Sequence, residues 1–161
     1  MKKTATLFAL LLAVSMVLGL TACTQAESIV GTWKGTVDLG GQGENVNSVY
    51  EGVLVDIIWE FREDKTFSCS VDEASLQNAC NRLRENLKDR PDLADAFCTY
   101  LIEDFEQLSK EGTYSYTGDK LLFIPQEGSK SVCVAELNGD ELTVTKSDYF
   151  SKAVLPLTFT R

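Results

Sequence analysis

The chain has 161 residues, enough for one domain, and carries 15 Lys and Arg against 24 Asp and Glu. A net charge of -9 opposes a phosphate-backbone partner, whose affinity comes from clustered cations, so no nucleic acid is expected. The absence of His removes Ser-His-Asp and Cys-His nucleophile arrangements and most zinc ligand sets.

The N-terminus reads as a processing signal. Lys2 and Lys3 form a short positive region, Leu7 to Leu20 is an almost unbroken apolar run, and Leu20-Thr21-Ala22-Cys23 follows at once. The run falls short of the about 20 apolar residues a membrane span needs. Residues 1–22 therefore read as a secretory signal peptide, removed on export. The tetrapeptide resembles a bacterial lipobox, which implies that Cys23 takes a diacylglyceryl thioether and becomes the new N-terminus. Acyl chains contribute about 0.8 kcal/mol per buried methylene, so two or three of them hold a protein durably on a cell membrane or outer membrane, extracytoplasmic side. Cleavage leaves 139 residues with 13 basic side chains against 24 acidic ones, a charge of -11, and residues 23–28 as lipid anchor and tether.

From Ile29 to Arg161 short β-type runs alternate with turn signals, apart from one block at 72–110. Strands are expected at 29–38, 50–62, 65–71, 112–117, 120–124, 131–137, 141–146 and 153–160, a barrel-sized set of eight. Period-two alternation puts Val53, Val55, Ile57, Trp59 and Phe61 on one face of the second strand, with Asp56, Glu60 and Arg62 on the other. The last strand repeats this, with Leu155, Leu157 and Phe159 inward. Three connections are tight and polar, Glu63-Asp64, Gly118-Asp119 and Asn138-Gly139-Asp140, as hairpin turns require. The other four are long, at 39–49, 72–111, 125–130 and 147–152. In an up-and-down barrel this strict alternation gathers the short turns at a closed end and the long connections at a mouth. The tether joins at the closed end, so the mouth is expected to face away from the membrane.

Gly31-Thr32-Trp33, which opens this pattern, matches the G-x-W signature of lipocalins and lipocalin-like bacterial lipoproteins. Residues 29–161 resemble that family except in the 72–110 block. The resemblance implies a mainly β fold, an eight-stranded up-and-down antiparallel lipocalin-like barrel. It also implies an Arg from the C-terminal part of the barrel packed across the motif's Trp. Arg161 ends its strand at the closed end and is the candidate partner of Trp33, a cation–π contact of about 0.5 to 2 kcal/mol.

Within the exceptional block, Leu76, Cys80, Leu83 and Leu87 follow helical spacing, and so do Ala94, Phe97, Cys98, Leu101, Phe105 and Leu108. Asp72 is a plausible N-cap, Asp89-Arg90-Pro91 breaks the run, and Pro91 suits the first turn of a second helix. An αα-hairpin is thus expected between strands three and four, capping the mouth as a mobile lid or a fixed plug. With Cys23 given to lipid, four Cys remain, which permits three pairings. Cys80 and Cys98 are equidistant from Asp89, so antiparallel helices bring them within disulfide reach, and that disulfide is expected. Cys69 and Cys133, on the third and sixth strands, would pair only across the interior; buried free thiols are the alternative.

No catalytic constellation emerges, so an enzyme is not expected, nor a cofactor. Gly40-Gly41-Gln42-Gly43 lacks the Gly-Lys-Ser/Thr of a phosphate loop and reads as a flexible first loop. Asp92, Asp95, Glu103, Asp104 and Glu106 fall on polar helix faces without calcium-loop spacing, so they read as solvated charge and no metal site is expected. Tyr114 and Tyr116 share a face with Gly112, and Tyr149-Phe150 lies in a mouth loop; these rings serve core or rim packing, or orient a ligand. The function expected is a membrane-tethered, monomeric barrel that binds a small hydrophobic ligand, lined by Val55, Ile57, Trp59, Phe67, Tyr114, Phe123 and Leu155. The alternative is a non-catalytic interaction protein or inhibitor. It would engage a cationic envelope or extracellular protein partner through mouth loops and an acidic surface that attracts at long range.

Overall fold

The computed structural model describes residues 28–41, 48–149 and 155–161. The signal peptide, Cys23, Gln42-Gly43 and Phe150 lie outside the described residues. Eight antiparallel strands close into a barrel in sequence order: β1 (Gly31–Asp38), β2 (Leu54–Phe61), β3 (Thr66–Val71), β4 (Lys110–Thr117), β5 (Lys120–Pro125), β6 (Ser131–Asn138), β7 (Glu141–Ser147) and β8 (Leu157–Thr160), which returns to β1. Two helices, α1 (Glu73–Asn86) and α2 (Pro91–Glu106), stand between β3 and β4. Inward positions alternate along every strand. Val55, Ile57, Trp59 and Phe61 of β2 are buried, and so are Trp33 and Val37 of β1 and Leu157 and Phe159 of β8.

The register puts Gly31 opposite Phe61 and Asp38 opposite Leu54, which separates the closed end from the mouth. The connections β2–β3, β4–β5 and β6–β7 are the tight ones, with Gly118 at φ 63° and Gly139 at φ 60° making two of the turns. The long connections and both helices gather at the other end.

Element bounds differ from the sequence reading at several strand ends, and three of these differences shape the mouth. Residues 50–53 are not strand. Ser48–Tyr50 is a 3₁₀ turn, Gly52 turns the chain at φ 67°, and the Val53 amide donates to the Tyr50 carbonyl at 3.0 Å before β2 starts. The last strand starts at Leu157 rather than 153, since Pro156 has no N–H to give the ladder; residues 153–154 lie outside the described residues. The fourth strand starts two residues early, at Lys110, whose partner in the register is Cys69 of β3.

The hairpin is fastened to the rim of β2 by polar contacts. The Asp72 carboxylate accepts from the Ser75 amide at 2.8 Å and caps α1, while the Asp56 amide donates to Ser75 Oγ at 2.9 Å. Asn86, near the end of α1, donates to the carbonyls of Val49 and Glu51 at 3.0 and 2.9 Å. The apolar stripe of both helices is buried, and Ala79, Cys80, Leu83, Cys98, Leu101 and Phe105 are continuous with the barrel core.

Candidate functional site

The barrel interior is filled by aromatic rings. Trp59 stacks on Phe159 with centroids 4.3 Å apart and planes 6° from parallel, and it also meets Phe61 at 5.7 Å and Phe123 at 5.2 Å. Phe123 continues to Phe67 at 4.8 Å. Gly35 is what admits this stack: a Cβ there would lie 2.6–2.9 Å from the Phe159 ring. Tyr114 belongs to the closed end, edge-on to Phe61 at 4.9 Å, with its hydroxyl donating to the Arg62 carbonyl at 3.0 Å.

The seven residues expected to line a ligand fall in different places. Val55, Trp59, Phe67, Tyr114 and Phe123 are packed against one another or their neighbours. Leu155 sits at the rim, beside an outer groove between β1 and β8. Of the seven residues, Ile57 alone faces the cavity described next. Alternation reports which face is inward but not whether the rings on that face meet, and here they do.

A cavity of about 430 Å³ lies instead at the mouth, between α2 and the barrel rim. Its apolar wall comes from Val37 and Leu39 of the first strand and its exit, Ile57 of β2, and Phe97, Leu101 and Phe105 of α2. Tyr50 closes one side, its ring 5.7 Å from that of Phe97. Tyr149 separates the cavity from the core: its ring touches Phe123 at 5.2 Å and Trp59 at 6.3 Å, and its hydroxyl donates to the Leu108 carbonyl at 2.6 Å. Burial raises the Tyr149 pKa far above that of a free phenol. Polar groups on the lining are the hydroxyls of Tyr50 and Tyr100, Asp104 and Gln107 at the end of α2, and Lys110 at the start of β4. Sequence reasoning missed most of this lining. The apolar face of α2 carries the signal, but helical spacing places that face on the barrel without showing the gap beneath it.

The four described cysteines are free thiols. The hairpin does bring Cys80 and Cys98 together, yet the expected disulfide is not formed. Cys98 Sγ lies 3.4 Å from the Cys80 carbonyl and Cys80 Sγ 4.0 Å from the Cys98 carbonyl, and the two thiols also interact with each other as neighbours without a bond between them. Cys69 and Cys133 are not bonded to each other either. Cys133 contacts Ser147 Oγ at 3.0 Å, and the Tyr149 hydroxyl and Trp59 face Cys69. Burial pushes the Cys69 thiol up to about 11, and the Cys80 and Cys133 thiols are raised by the same cause. Thiols held protonated are poor nucleophiles.

At the closed end, the Arg161 guanidinium lies 4.8 Å from the Trp33 ring centroid and beside Gly31, while Trp33 Nε1 donates to the Ile29 carbonyl at 2.7 Å. Arg161 also pairs with Asp140 at 2.7 Å and donates to the carbonyls of Ser28 and Gly139 at 3.1 and 3.0 Å. These contacts tie the entry of β1 to the β6–β7 turn at the closed end.

Searches of curated proteins and of solved structures give no match. A family model described as a lipocalin-like domain matches residues 29–144, a span that holds the Gly31-Thr32-Trp33 motif, the first six strands, the start of β7 and both helices. The chain belongs to the lipocalin-like domain family.

Proposed function

We propose that this protein is a non-catalytic binder of a small, mostly apolar ligand, and that the ligand lies in the mouth cavity beneath α2. The observation that carries the reading is the cavity itself. It has about 430 Å³, within the size range of small-molecule sites, and its wall is chiefly aliphatic and aromatic. The middle of the barrel is filled by Trp59, Phe67, Phe123 and Phe159, and burial raises the Cys69, Cys80 and Cys133 thiols, which keeps them protonated. A neutral apolar fluorophore such as N-phenyl-1-naphthylamine is expected to titrate to saturation at one equivalent, with energy transfer from Trp59 through the neighbouring Tyr149 wall. Linear, non-saturating uptake would refute the reading.

The lipobox resemblance of Leu20-Thr21-Ala22-Cys23 supports a lipid anchor on Cys23 and a mouth that opens away from the membrane. Expression with labelled palmitate is expected to mark the wild type and leave Cys23→Ala unmarked and released. Equal labelling of both would remove the anchor.

A further inference from the structure

Polar contacts hold α1 to the rim and to α2. Ser75 Oγ accepts from the Asp56 amide, and Arg82 and Asn86 donate to the carbonyls of Glu51 and Val49. Between the helices, Arg84 pairs with Asp95 at 3.2 Å, with side chains 48% and 70% exposed, a contact of small worth in water. One turn farther from the bend stand Cys80 on α1 and Cys98 on α2, both buried.

The two cysteines occupy matched positions on the hairpin. Each sulfur reaches the backbone of the other residue, at 3.4 and 4.0 Å, and the thiols already interact. That reciprocal approach leaves rotation about the Cα–Cβ bonds to bring sulfur to sulfur. Cys69 and Cys133 are differently placed: Tyr149 and Trp59 face the first, and Ser147 contacts the second at 3.0 Å.

We propose that Cys80 and Cys98 form a reversible redox clasp on the hairpin. Reduced, they leave α2 held to α1 by packing and one exposed ion pair; oxidised, they join the helices covalently across the mouth. The oxidant is a disulfide, small or protein-borne. One cysteine thiolate attacks a sulfur of that disulfide and displaces a thiolate, which leaves a mixed disulfide on the protein. The second cysteine attacks the protein sulfur and releases the other half of the oxidant. The pair gives up two protons and two electrons, and the oxidant leaves as two thiols. Burial, and then the neighbouring Cys98, raise the Cys80 thiol, while Arg84 one turn away acts in the opposite direction, so the attack is slow but not closed off. The export signal read at residues 1–22 would put the pair where thiols meet such oxidants, although the chemistry of the pair does not depend on it.

The test uses the Cys23→Ala protein, which keeps the four described thiols. It is refolded from urea in buffers of reduced or oxidised glutathione, so that burial does not bar equilibrium, and then alkylated in denaturant and digested without reduction. Oxidised glutathione is expected to give one cross-linked peptide, Cys80 to Cys98, with Cys69 and Cys133 alkylated. Dithiothreitol is expected to reopen it in the native protein. Hydrogen exchange of the α2 amides is expected to be at least about tenfold slower in the oxidised form, a difference between buffers that Cys98→Ser, or Cys80→Ala if that variant does not fold, abolishes. Cys80 and Cys98 both alkylated after oxidative refolding, or either one joined to Cys69 or Cys133, would overturn the clasp. So would a bond that dithiothreitol opens only in denaturant, which is a permanent staple, or a bond that leaves α2 exchange unchanged.

Discussion

Arg161 joins a ring contact, an ion pair and backbone hydrogen bonds in one side chain that is only 31% exposed, so its removal acts on several partners at once. Arg161→Ala is expected to lower unfolding stability by about 1 to 3 kcal/mol in denaturant titration. Arg161→Lys should recover less than half of that, because an ammonium cannot reproduce the planar fork that reaches Asp140 and two carbonyls together. A loss within error of zero for Arg161→Ala would show that the closed end does not depend on it. Cys69 makes the second residue-scale prediction. Burial holds its folded-state pKa at about 11, against an ordinary thiol near 9.0. A raised pKa stabilises the fold fully below the unfolded value and loses that contribution as pH climbs through the folded one. Stability should therefore fall between about pH 9 and 11, by at most about 2 to 3 kcal/mol from this group. Cys133 and Tyr149 add to the fall in the same direction. In Cys69→Ala the alkaline slope should flatten, and an unchanged slope would assign it elsewhere.

At the scale of elements, the strands of the barrel were legible because each buries one face and therefore alternates with period two. The second strand shows both the strength and the limit of that signal. Val55, Ile57, Trp59 and Phe61 are inward as their spacing requires, yet Tyr50 and Val49, equally β-prone, lie in or beside a 3₁₀ turn fixed by Gly52 and by its contacts with α1. Tertiary contact decided those residues, and a sequence window holds no record of it. The hairpin was legible for a similar reason, since its two apolar stripes flank a break at Pro91. Facing cysteines followed from the same symmetry, but sulfur orientation depends on rotamers that spacing does not set. The start of β4 was missed because Lys110 and Glu111 read as loop, although Lys110 takes an inward position.

Across the whole molecule, volume is distributed unevenly. The closed end and the middle of the barrel are occupied by Trp33, Trp59, Phe61, Phe67, Phe123 and Phe159, all at or below 1% exposure. Closure was readable from eight strands and alternating connections; filling was not, because it depends on how large side chains from β2, β3, β5 and β8 interlock across the axis. The inserted hairpin restores at the mouth the space that the rings take from the interior. α1 stands on β2, α2 spans the rim, and the cavity is the gap that Tyr149 keeps distinct from the core. A ligand held there would touch the insert as much as the barrel. The measurement that decides this is titration of N-phenyl-1-naphthylamine into wild type and into Leu101→Trp, a substitution that fills the cavity from α2 while leaving the ring stack untouched. Saturable one-site binding to the wild type, weakened at least about tenfold in a Leu101→Trp variant that still unfolds cooperatively, is the predicted result. Undiminished binding to that folded variant would contradict a ligand site beneath α2.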